Sequence, residues 1–286
     1  MEQHLHTSSA EQVALHTAEL WDEFKSLLDA GELSAEKVSY LSKATTANIL
    51  AFYRETGSCL REGISLLCEV TNLNSPQLAE IGVNYLFSEL IEVINDSFDP
   101  SICPLYDQLF AQVITFYRTQ PYGKFLDLQL NHFHLRDELA VLQRRKRLGD
   151  YTITTTPSRV RKIIVLSRVT IGADIAITSI ILSRLKTNFP QAEIVLIGSA
   201  KLNQLYGGDS SIRVKSLDYG RHGDVVSRLN SWVELCQLVA DEVAPLNFDE
   251  YLIFDPDSRF TQLGLLPLLQ SHVERQAYSF FPSRTI

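Results

Sequence analysis

The stretch Lys162–Thr178, KIIVLSRVTIGADIAIT, decides the reading of this chain. KIIVLS is a continuous apolar run bounded by polar residues, the pattern of a strand buried on both faces of a parallel sheet. A short loop with one glycine follows, and Asp174 stands where the loop turns into a helix. In open α/β sheets, ligands bind just outside the carboxyl ends of the strands. The segment therefore puts a carboxylate where chemistry is usually done. A plainer explanation stands beside it: a carboxylate in a first helical turn suits the positive pole of the helix and caps free amides.

Downstream, the pattern repeats. Asp174 to Asn188 is an amphipathic helix ending at Phe189-Pro190, and Glu193–Gly198 is a second buried strand. Lys201 to Tyr206 is a short helical turn, Ile212–Ser216 a third strand, and Val225–Val243 a helix. Glu250–Asp255 is a fourth strand, Pro256–Leu269 is partly helical, and Gln276–Phe281 is a fifth strand. Strands alternating with helices of this length predict a doubly wound, Rossmann-like parallel sheet of about five strands with right-handed crossovers. It is expected over residues 161–286, with 151–160 (YTITTTPSRV) as a linker or lead-in strand.

Upstream, residues 1–150 carry helical periodicity throughout and predict an all-α bundle or array. Ser34 is read as an N-cap, and Ser75-Pro76 as an N-cap followed by proline at the first helical position. No convincing fixed-period repeat is present. The run Arg144-Arg145-Lys146-Arg147 is read as a solvated helix end, with contact to anionic lipid or phosphate as the alternative.

Composition excludes several classes. The 286 residues are 45% hydrophobic and 21% charged, ordinary for a chain that buries a core. The net charge of -8 is uneven: residues 1–150 hold 12 basic and 21 acidic residues, and 151–286 hold 14 and 13. An acidic front half argues against a general nucleic-acid binder, which needs clustered cations. Cys59, Cys68, Cys103 and Cys236 form no CxxC pair and complete no zinc pattern, so they are read as core thiols in a reducing compartment. The first residues lack the basic and apolar regions of a signal peptide, and no apolar run approaches the roughly 20 residues that span a bilayer. A cytoplasmic location is expected, including a peripheral one on the inner membrane face.

The loop Arg168–Asp174 lacks the three glycines of a dinucleotide fingerprint and the Gly-Lys-Ser/Thr of a phosphate-binding loop. A dehydrogenase or a P-loop nucleotidase is therefore not expected. After the fourth strand comes Asp255-Pro-Asp-Ser-Arg-Phe-Thr-Gln262. Asp255 and Pro256 make an ordinary helix start. Equally, Ser258, Arg259, Thr261 and Gln262 crowd the sheet edge that carries Asp174, a density of hydrogen-bonding groups that suits a sugar or a phosphate. Arg213, Lys215, Arg221, His222 and Arg228 are read as surface cations, with phosphate recognition as the alternative. His132 and His134 are two apart on a helix and are read as structural or surface residues.

The ordered series Arg168, loop, Asp174, Thr178, Phe189-Pro190, Ala192-Glu193-Ile194, then DPDSRFTQLGLLPL (255–268) and YSFFPSR (278–284), resembles bacterial glycosyltransferases of the ADP-heptose:lipopolysaccharide heptosyltransferase type. It covers about residues 160–286. The family's Arg, Asp and Thr fall on Arg168, Asp174 and Thr178. Two features depart from it: the glycine before the Asp is Ala173 here, with Gly172 one place earlier, and the common Ser pair is Thr170-Ile171.

The resemblance implies a GT-B architecture and an inverting displacement without an obligatory metal. Asp174 would be the general base that deprotonates the acceptor hydroxyl. Arg168, Thr170, Gly172, Thr178, Ser258, Arg259, Thr261 and Gln262 would bind the acceptor. No cofactor and no metal are implied, and a nucleotide-sugar is the expected donor substrate. Expected partners are a sugar or glycolipid acceptor, a second, donor-side domain or chain, and a protein partner for the helical part. Nucleic acid is not expected, and no transmembrane segment is read. A second domain would need roughly a hundred or more residues beyond Ile286, so this chain is expected to carry the acceptor side alone. The rival expectation is a non-catalytic interaction or scaffold protein built on half a transferase.

Overall fold

The structure is a computed structural model that describes residues 9–96, 99, 101–149, 159–219, 224–256, 258–274 and 277–279. The protein is mixed α/β, with a helical N-terminal region followed by an all-parallel sheet and its helices. It divides into two compact units at Tyr117/Arg118.

The first unit is built from α1 (Ser9–Ala30), α2 (Ala35–Thr56), α3 (Arg61–Thr71), α4 (Pro76–Asn84), a π-helical turn over Tyr85–Ile91, α5 (Glu92–Asp96) and α6 (Cys103–Arg118). Leu20, Phe24, Val38, Leu41, Leu66 and Val70 form one of its cores. The expected punctuation is present at Ser34 and Pro76, while Ser75 stands at the N-cap of α4 without a side-chain cap hydrogen bond. The Ser34 hydroxyl accepts from the Lys37 amide, and Gly57 closes α2 in the left-handed conformation that a glycine adopts without strain. Pro76 stands at the start of α4.

The second unit opens with α7 (Lys124–His132) and α8 (Glu138–Gly149). The sequence placed both in the helical domain; the boundary expected at residue 150 moves to 118. Packing explains the shift. Phe133 lies against Trp232, ring centroids 5.8 Å apart, and Gln270 Nε2 donates to the His132 carbonyl at 3.0 Å. Arg144 is buried. It donates to Glu274 Oε1 at 2.7 Å and to the carbonyls of Gly264 and Leu265 at 2.8 and 3.0 Å. The first residue of the basic run is thus an enclosed anchor rather than a solvated cation. Residues 151–158 of the expected linker lie outside the described residues, and Val160 already packs against the sheet core.

The sheet holds β1 (Lys162–Leu166), β2 (Glu193–Gly198), β3 (Ile212–Ser216) and β4 (Tyr251–Asp255), all parallel, in the order β3-β2-β1-β4. The expected fifth strand is reduced to three residues, β5 (Ala277–Ser279), paired beside β4. Between the strands run α9 (Ile171–Ala173), a π turn over Asp174–Thr178, α10 (Ser179–Asn188), α11 (Leu202–Tyr206) and α12 (Val225–Val243). Ile163 and Val165 face a core with Leu182, Leu185, Ile194, Leu196 and Leu252, while Ile164, Leu166, Val195 and Ile253 are equally buried. Both faces are covered, which is why β1 reads as an unbroken apolar run. The stretch 256–269, expected to be partly helical, holds one 3-10 turn among its described residues, Arg259–Thr261. Among the described residues, no helix is long and apolar enough to cross a membrane.

Candidate functional site

The strand order changes direction between β1 and β4, and the loops leaving their carboxyl ends meet at one edge of the sheet, where open α/β sheets take ligands. Ser167 follows β1 directly and is the hub of this edge. Its amide donates to the Ile197 carbonyl at 2.8 Å, continuing the ladder to β2. Its hydroxyl donates to Asp174 Oδ2 at 2.6 Å and accepts from the Val169 amide at 2.9 Å. Asp174 Oδ1 accepts from the Arg168 amide at 2.9 Å and from the Thr178 hydroxyl at 2.8 Å. The Asp174 amide donates to the Thr170 carbonyl at 2.9 Å, closing the turn.

Asp174 is 1% exposed, and both its oxygens are engaged. The carboxylate is a clasp that holds the loop from inside. It does not cap the helix by taking amides of the first turn, and it presents no open face to an acceptor hydroxyl. The clasp also supports a strained residue. Val169 has φ 72°, a conformation that a β-branched side chain resists at a cost of about 1–3 kcal/mol.

Two neighbours complete the pin. Gly198 ends β2 against Ser167; a Cβ there would overlap the Ser167 side chain, so the strands approach this closely only with glycine. Tyr206, on α11, donates its hydroxyl to the Asp174 carbonyl at 3.0 Å. Its phenol titrates above the usual range, through partial burial first and the nearby Asp174 charge second.

The β4 loop is tied to the same hub. The Ser258 hydroxyl donates to the Ser167 carbonyl at 2.8 Å. Asp255 accepts from the Ser258 amide at 2.7 Å and from the Thr261 hydroxyl, so it caps a tight loop rather than a helix. Thr261 in turn accepts from the Gly264 amide at 3.1 Å. Gln262, Leu263 and Gly264 all have positive φ, at 49°, 57° and 86°. Arg144 takes the carbonyls at the end of that left-handed run.

The expected site residues therefore separate into two groups. Thr178, Ser258, Thr261 and Gln262 are enclosed and stabilise the loops, so they are not surface ligands for an acceptor. Gln262 Nε2 is buried without a hydrogen-bond partner. Arg168, Thr170 and Arg259 are half-buried, and Gly172 is exposed with open space where a side chain would be. Arg168 and Arg259 each follow by one residue a member of the bonded pair Ser167–Ser258, which brings two guanidinium-bearing positions to one rim.

Sequence reasoning missed Ser167, Gly198, Tyr206 and Arg144. For the pin at the strand ends, the glycine closing EIVLIG was the available signal, marking a close approach at a strand end. Arg213 and Lys215, considered for phosphate, are committed elsewhere. Arg213 forms a two-pronged contact with Glu242 at 2.8 and 2.7 Å, and Lys215 lies 3.5 Å from the same carboxylate. Arg228 is buried, and Arg221 and His222 lie outside the described residues. Among the described residues, no group of three or more His, Cys, Asp or Glu is placed to hold a metal ion. No protein-family model, curated protein or solved structure matches the chain.

Proposed function

We propose that the sheet unit is the acceptor-side, ligand-binding unit of a sugar transferase, doubly wound and Rossmann-like, with the donor nucleotide-sugar held by a further domain or chain. One observation carries the reading: the loops from β1 and β4, on either side of the point where strand order reverses, are bonded to each other through Ser258 and Ser167. That is where open α/β sheets take their ligands. The rim offers Arg168, Thr170 and Arg259, two cations and a hydroxyl, beside the bare backbone of Gly172. Such a set suits a ligand with hydroxyls and an anionic group.

In this reading Asp174 shapes the rim. To accept a proton from a substrate hydroxyl it would first have to give up Ser167 or Thr178. That closure favours a second reading, a binding module of the same ancestry that does no chemistry. Calorimetric titration with sugar phosphates and short glycosides tests both. Binding weakened about tenfold by Arg168→Ala or Arg259→Ala, as expected for loss of a charge-assisted contact, supports the site. No binding across the panel sinks it. Turnover with nucleotide-sugar donors once the chain is joined to its donor-side domain or chain supports the transferase, and binding without turnover in that assembly supports the second reading.

A further inference from the structure

The helix that follows the β1 loop turns isoleucines outward. Ile171, Ile175, Ile177 and Ile180 are 41, 54, 37 and 60% exposed, within ten residues of chain. Single exposed apolar residues are ordinary, but four in so short a stretch are not. The π turn brings three of them, Ile171, Ile175 and Ile180, towards one face. At about 100° per residue, positions five apart on an α-helix diverge by about 140°. Here the Ser179 amide reaches back five residues to the Asp174 carbonyl, so the extra residue is absorbed and Ile180 returns towards the side that carries Ile171 and Ile175. Meanwhile Asp174 and Thr178 keep the inner side. The neighbouring α11, held to this turn through Tyr206, adds exposed Leu205, with exposed Lys201 at its N-cap.

The exposed charge of the stretch that carries this face is positive. Over residues 168–188 the charged side chains are Arg168, Asp174, Arg184 and Lys186. Asp174 is enclosed, so the stretch presents no exposed carboxylate of its own, whereas Arg184 is exposed. Lys186 pairs with Asp209. We infer that the Ile171/Ile175/Ile180 face docks on an anionic lipid bilayer, with the isoleucines in the acyl boundary and Arg184 and Lys201 among the headgroups. Aliphatic residues ringed by cations bind such surfaces by apolar burial plus attraction to anionic lipid. A second copy of the chain is a poorer occupant, because it would set the same cations against each other. Protein-binding faces are also enriched in aromatic residues, and this one has none at its centre. The inference does not depend on the sugar reading, and vesicles without any glycolipid test it.

The experiment is co-sedimentation of the full chain with phosphatidylcholine vesicles, with and without about a third phosphatidylglycerol. The chain is expected to sediment with the anionic vesicles, more weakly at high salt. Ile175→Glu with Ile180→Glu should weaken this about tenfold or more, since each change removes an isoleucine from the apolar boundary. Both positions are more than half exposed, so the thermal melt should not move. As a second measurement, the emission of the Ile175→Trp variant should shift to the blue when anionic vesicles are added, beyond any shift of the unmodified chain. Failure of the unmodified chain to sediment would overturn the inference. So would equal sedimentation of the double variant, an unshifted emission from the Ile175→Trp variant, or a dimer that the double variant dissolves.

Discussion

Removing the Asp174 carboxylate strands three donors at once: the Ser167 hydroxyl, the Arg168 amide and the Thr178 hydroxyl. A buried donor left unsatisfied costs about 1–3 kcal/mol. Asp174→Ala should therefore destabilise the sheet unit by about 2–4 kcal/mol, allowing for some relaxation. Asp174→Asn keeps one oxygen for Arg168 and Thr178. It sets its new amide against the Ser167 hydroxyl, which can turn, so its cost should be about 1 kcal/mol. Urea midpoints of the two variants check this. A surface base predicts the opposite pattern, with transfer lost and stability unchanged. If Asp174→Ala is as stable as the unmodified chain, the clasp assignment fails.

At the scale of elements, Glu242 at the end of α12 joins three strands. It accepts from Lys162 on β1 at 2.8 Å and from Arg213 on β3, and Arg213 also reaches Glu193 on β2 at 2.7 Å. Its carboxyl is lowered to about 2, chiefly by the Arg213 hydrogen bonds, against the opposing effect of burial. A carboxylate with a depressed folded value contributes stability that is full above its unfolded value and lost as pH falls through the folded one. Glu242→Gln should cost about 1–3 kcal/mol near neutral pH. The gap from the unmodified chain should close between about pH 4.5 and pH 2. Denaturant midpoints across that range decide it; a gap unchanged at pH 3 would remove Glu242 as the cause.

The same scale shows what was legible. β1, β2 and β4 could be read because burial on both faces leaves a continuous apolar run. The loop after β4 could not. Asp255-Pro256 has the chemistry of a helix start, but the chain instead passes through positive φ at Gln262 and Leu263, which no side chain there announces. The π turn was equally hidden, because it changes which isoleucines share a face without changing their order. The position of Asp174 was correctly read at the strand-to-helix junction. Its closure was not, because it depends on Ser167 and on Gly198 from another strand.

For the whole molecule, the consequential correction is that α7 and α8 fold with the sheet. Arg144 could not be told from its neighbours in a basic run by composition; only its helical spacing from buried Val141 places it inward. Burial holds its guanidinium below the usual range, and the Glu274 carboxylate opposes that shift. A fragment beginning at Arg118 retains this pair. It also keeps Arg118 with Asp127 and the Leu135 carbonyl, and Phe133 on Trp232. It should melt cooperatively on its own. A fragment beginning at residue 151 leaves Glu274 enclosed without its cation, which costs about 3–5 kcal/mol, and strips cover from Trp232. With typical domain stabilities of about 5–15 kcal/mol, that loss should leave the shorter fragment molten or aggregated. Near-ultraviolet circular dichroism and thermal melts of the two fragments separate the cases. If the shorter one melts as sharply and at the same temperature as the longer, then residues 118–149 are not part of the sheet unit's core and the boundary belongs near residue 150 after all.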